Sequence, residues 1–118
     1  TSMHEPINDD YKKVVFDHAL PGSISLECAF GILCNNFTLE KSIDILTRRK
    51  DIFNIEDLPI EIGSKANLTI FNPESNYVFS KKHILSSSKN CAFIGLNMKG
   101  IVYGSINNSK ATLNRLWT

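Results

Sequence analysis

With 118 residues, the chain is the size of one ordinary domain. Its 42% hydrophobic and 21% charged content excludes a disordered chain. Thirteen Lys and Arg against twelve Asp and Glu leave a formal charge of +1, so no global field attracts nucleic acid or an anionic membrane, and neither is expected as a partner. No apolar run approaches the roughly 18 to 20 residues of a bilayer span, and no secretory signal opens the sequence. Cys28, Cys34 and Cys91 lack CxxC spacing and read as reduced thiols, which favours a cytoplasmic location.

Residues 1–22 read as an irregular segment with one short extended piece over 13–16, closed by Leu20-Pro21-Gly22. A helix follows, with Ser23 or Ser25 as its cap and Glu27 in its first turn, where a carboxylate suits the dipole. Ile24, Leu26, Cys28, Ala29, Phe30, Ile32 and Leu33 make it apolar on nearly every face, so 24–33 is expected to need a covering partner. Asn35-Asn36 ends it. Thr38 opens a second helix with Leu39, Ile43 and Leu46 at i, i+4 and i+7. Arg48-Arg49-Lys50 is its solvated C-terminal end.

After Pro59 the pattern changes to strands. Ile60 and Ile62 alternate around Glu61, and Asn67-Leu68-Thr69-Ile70-Phe71-Asn72 reads as a strand stopped by Pro73. Tyr77-Val78-Phe79 is a further short strand, and 81–92 is a Ser-rich ordered loop. Residues 98–107 form a strand, Asn107-Asn108 suits a turn with positive φ, and Ala111-Thr112-Leu113 pairs back as a hairpin. The order of elements is α+β.

The residues alone carry little chemistry. His4, His18 and His83 are not at metal-ligand spacing, and there is no HxH, HExxH or Cys/His cluster. No GxSxG or SxxK frames a serine nucleophile. No Gly-rich loop follows a strand to cradle phosphates.

Several segments taken in order say more. Met3 to Lys12 resembles the dihydroorotase segment Asp-His-x-Pro-His-x-x-x-x-Lys, matching at His4, Pro6 and Lys12. Phe16, Asp17, Ala19, Gly22, Ile24, Leu26 and Glu27 match that family's Phe-Asp-Tyr-Ala-x-x-Gly-Ile-Ile-Gly-Leu-Glu. Gly63, Ala66, Asn67, Leu68, Phe71 and Asn72 resemble the strand that follows its barrel. Ser88-Lys89-Asn90, Phe93, Gly95 and Lys99-Gly100 resemble its tail.

The resemblance implies a metal-dependent amidohydrolase of pyrimidine biosynthesis. Residues 1–58 would be the last strand, its loop and the terminal helices of a (β/α)8 barrel, and 59–118 part of a small C-terminal β-domain. A complete barrel needs roughly 200 to 250 residues. Active members would hold zinc, and an Asp from the last strand would ligate it and handle the proton.

This chain departs from the pattern where chemistry is expected. Met3 stands at the Asp position, Ile7 at the next His, and Pro21 at the Phe of the substrate loop, leaving Gly22. No catalytic or metal residue is therefore expected here. His4, Pro6, Ile7, Pro21 and Gly22 are read as vestigial substrate-loop positions. The implied role is structural, with self-association, the remainder of the barrel or aspartate carbamoyltransferase as partner. The alternative is a fragment of an active dihydroorotase or hydantoinase whose ligands lie upstream.

Overall fold

A computed structural model describes residues 4–108 and 110–114. Two short helices, α1 (Ala29–Asn36) and α2 (Leu39–Thr47), precede an antiparallel sheet of β1 (Asn67–Val78), β2 (Asn97–Asn107) and β3 (Lys110–Leu113). Sheet order follows chain order, β1-β2-β3. The α+β reading therefore holds at this coarse level.

Thr38 caps α2 as expected, its Oγ1 accepting from Lys41 N at 3.3 Å. Asn108 takes positive φ (52°) where the β2–β3 hairpin turns. The Ser-rich loop is ordered around a 3-10 turn, Lys81–His83, closed by reciprocal bonds between Ser80 and His83.

Pro73 does not stop its strand. β1 runs through it because a register irregularity between Asn72 and Asn76 takes the proline out of the ladder. Asn72 Oδ1 accepts from Glu74 N at 3.0 Å and turns the chain there. Tyr77 and Val78 of the expected separate strand are thus the end of β1, and Phe79 follows it. The expected strand around Ile60 and Ile62 is absent: both side chains are exposed, Ile60 by 84%, and no partner strand pairs with them among the described residues. The extended piece at 13–16 is instead the gap between two 3-10 turns, Asp9–Lys12 and Phe16–His18.

α1 lies across the sheet. Phe30 meets Phe71 edge-on with centroids 5.1 Å apart, and Asn35 Nδ2 donates to Asn97 O at 2.6 Å. Gly100 makes this approach possible: at φ +95°, a Cβ there would stand 2.8 Å from Phe30 Cε1 and 3.2 Å from Cys34 Sγ. Ile24, Cys28, Phe79, Ile84 and Met98 form the buried core, with Ile32, Tyr77, Cys91 and Phe93 packed against it.

Part of the 24–33 surface expected to need a partner is covered within the chain itself. The chain's own sheet and loop bury Ile24, Cys28 and Gly31 and half-bury Phe30, Ile32 and Leu33. Leu26 stays 58% exposed, and further exposed apolar side chains are Val15 and Phe16, Leu46 on α2, and Ile52, Phe53, Ile55, Ile60 and Ile62 beyond it. The radius of gyration is 16.5 Å, against about 13.5 Å for a compact domain of this length. The accessible surface is 8870 Å², roughly 2,400 Å² more than a compact monomer of this mass exposes.

Candidate functional site

The residues singled out from the sequence come together at one edge of the core. His4 bridges Ser23 in parallel, and Glu5 N donates to Ser23 O at 3.0 Å. Gly22 has φ +130°, and a Cβ there would stand 2.6 Å from both Ile7 Cδ1 and Glu5 Oε2. The positive φ is what favours glycine there, since the two contacting atoms are side-chain ends that can shift. Asn90 Nδ2 donates to Gly22 O at 3.0 Å, and Ser88 Oγ donates to Ile7 O. Lys12 Nζ donates to Leu20 O, closing the loop between them. Pro6 and Pro21 are exposed. Pro6 lines an open, polar recess with Asn8, Asp9, Ser87, Ser88 and Lys89. Met3 lies outside the described residues.

His4 is the centre of this arrangement. Its Nδ1 accepts from Ser25 N at 3.2 Å and Leu26 N at 3.3 Å, capping the 3-10 turn Leu26–Cys28 that leads into α1. Ser23 or Ser25 is the cap expected from the sequence, but Ser25 makes no side-chain capping bond and Ser23 Oγ donates to Ile24 O. The histidine ring from 21 residues upstream does that work. With Nδ1 an acceptor, the ring takes the Nε2–H tautomer. Nε2 then faces Ser86 Oγ at 3.2 Å. Ser86 Oγ donates to Glu27 Oε1, which also accepts from Ser86 N at 3.0 Å.

The hydrogen bonds run from His4 through Ser86 to Glu27. This direction is opposite to that of an activated serine. The hydroxyl proton points to the carboxylate and the imidazole offers no base to the oxygen. Glu27 Oε2 lies 3.8 Å from His4 Nδ1, but Nδ1 is already engaged by two backbone N–H groups, so this contact is not an ion pair. Burial works to raise the Glu27 carboxyl pKa. Hydrogen bonds from Ser86 and from the backbone outweigh it, holding the group below the ordinary carboxylate value and ionised at neutral pH.

The unit is a clamp on three chain segments: the N-terminal stretch, the entry to α1 and the loop after β1. Sequence reasoning missed Ser86, because no spacing rule links residues 82 or 59 positions apart. The only available signal was a run of serines between core residues Ile84 and Phe93. Glu27 was found, but as a partner of the helix dipole.

Whereas His4 is only half-buried, His83 is buried. It stacks on Phe79 at 5.8 Å, meets Tyr77 edge-on at 5.2 Å, and accepts from Ser80 N at 3.0 Å. Burial and then Lys82 push its pKa down. It shares with Glu27 the lining of a cavity of about 50 Å³. Among the described residues, no three His, Cys, Asp or Glu side chains converge as a metal site.

No protein-family model matches the chain. Curated relatives do. It is 32% identical over 114 residues to a dihydroorotase of Chlorobaculum tepidum, 91% of this chain and 26% of that protein. The chain is related to the dihydroorotases. A dihydroorotase of Caldicellulosiruptor saccharolyticus is 31% identical over the same shares. One of Geotalea daltonii is 30% identical over 95% of this chain and 28% of the relative. The chain thus spans about a quarter of the length of these dihydroorotases. Among the described residues, no helix is long and apolar enough to cross a membrane.

Proposed function

We propose that the chain is the C-terminal part of a dihydroorotase-like amidohydrolase, serves a structural role, and does not itself hydrolyse a cyclic amide. Residues 1–58 supply the end of the barrel and 59–118 part of the β-domain. The observation that carries this reading is the match of nearly the whole chain to a quarter of several dihydroorotases, with Met3 and Ile7 at the positions expected to do chemistry. His4, the retained histidine, has both ring nitrogens committed to protein groups.

Zinc fits this residue set poorly. Both His4 nitrogens are engaged, and the nearest carboxylate, Glu27, is held by Ser86. The described residues would have to break the clamp to ligate a metal, so no step is routed through one. A cytoplasmic location suits the three free thiols.

The exposed apolar side chains of α2 and of 52–62 support a structural role, with the remainder of the barrel as the surface that covers them. Without that cover, the isolated chain is expected to self-associate. Sedimentation velocity over rising protein concentration tests this. Species larger than 13.3 kDa should grow with concentration, whereas a monomer at every concentration would contradict the reading.

A further inference from the structure

Two of the three cysteines sit on the same side of the core. Cys28 is 1% exposed and donates from Sγ to Ser25 O at 3.2 Å. Cys91 is half-buried and packs against the cluster that contains Cys28. Their segments run side by side: Ile24 N donates to Asn90 O at 2.9 Å, Asn90 Nδ2 to Gly22 O at 3.0 Å, and Ala92 N to Ser23 Oγ at 3.2 Å. Cys91 is near enough to the Cys28 thiol to help raise its pKa. Cys34 stands apart, against Gly100 on the sheet side of α1 and beside Ser42.

We propose that Cys28 and Cys91 form a redox pair, closing to a disulfide when a hydroperoxide oxidises the more accessible Cys91. In the first step the Cys91 thiolate attacks the peroxide oxygen. The O–O bond breaks, Cys91 becomes a sulfenic acid, and the alkoxide or hydroxide leaves with a proton. In the second, Cys28 attacks the Cys91 sulfur. The S–S bond forms, the S–OH bond breaks, and water leaves with the Cys28 proton. Overall, two thiols and one hydroperoxide give a disulfide, water and an alcohol, or two waters with hydrogen peroxide.

The bond would link the entry to α1 with the loop after β1, the same two segments the Glu27–Ser86 hydrogen bonds hold. Oxidation therefore locks the clamp covalently. Burial, then the neighbouring Cys91, raises the Cys28 thiol to about 12. The second step is therefore slow at neutral pH and faster in alkali.

The test uses the full chain treated with hydrogen peroxide, alkylated, and mapped by mass spectrometry. Reactive thiols should fall from three to one, with a single cross-linked peptide pair joining Cys28 to Cys91 and Cys34 alkylated. The Cys34→Ser variant should give the same cross-link. Cross-links through Cys34, or Cys91 carried on to sulfinic acid while Cys28 remains alkylated, would overturn the proposal.

Discussion

Replacing Phe79 by alanine is expected to destabilise the fold by about 3 to 5 kcal/mol, the usual cost of emptying a buried aromatic site. Phe79 is 0% exposed and immediately follows β1. It stacks on His83, and its backbone exchanges hydrogen bonds with Leu96 (2.9 Å) and Gly95 (2.8 Å). Only five hydrophobic side chains are fully buried among the described residues, so the loss falls on a core with little reserve. At about 4 °C per kcal/mol for a chain of this size, the melting temperature should drop by more than 10 °C or the cooperative transition should vanish. Leu85→Ala is the control. Leu85 is 76% exposed six positions on, and its removal should stay within about 0.5 kcal/mol.

The second large effect is at the clamp. Glu27→Ala should cost about 2 to 3 kcal/mol, because it removes a charged acceptor and leaves both the Ser86 N–H and hydroxyl without it. Glu27→Gln keeps an acceptor oxygen but no charge, and should cost about half as much. The two variants also separate by pH. The Glu27 carboxyl is held below its ordinary value in the folded chain, so its contribution is present at neutral pH. It is lost as pH falls through the folded-state value, where the carboxylate must protonate. Wild type should lose stability over that acid range, and Glu27→Gln should lose less. Chemical denaturation at neutral and acid pH reads both differences. Equal pH slopes in the two proteins would show that Glu27 is not the ionised acceptor described.

The elements legible in the sequence were those governed by local rules. Thr38 before an i, i+4, i+7 pattern gave α2, and Asn107-Asn108 between alternating segments gave the β2–β3 hairpin. The errors arose where distant parts of the chain override local preference. Pro73 looked like a strand end, yet a bulge carries β1 past it because β2 pairs on both sides. Ile60 and Ile62 alternate like a strand but have no partner to pair with among the described residues. The cap of the first helix was assigned to a neighbouring serine, whereas His4 reaches it only after the N-terminal segment has folded back.

The site divides in the same way. The resemblance picked out His4, Ile7 and Gly22, which the fold brings together. It offered no reason to choose Ser86, which joins His4 to Glu27. The clamp also gives these retained residues a role that needs no catalysis. His4, Gly22 and Glu27 hold the N-terminal stretch and the entry to α1 against the loop after β1, and that geometry is useful whether or not chemistry takes place beside it.

The central claim, a structural dihydroorotase-like piece without hydrolytic chemistry of its own, is tested most directly by one assay. The purified chain is incubated with zinc and desalted, its bound metal is measured by elemental analysis, and dihydroorotate hydrolysis is followed on the same sample. Retained zinc should stay well below one equivalent per chain, with turnover no faster than buffer. One equivalent of retained zinc together with turnover above buffer would contradict the claim.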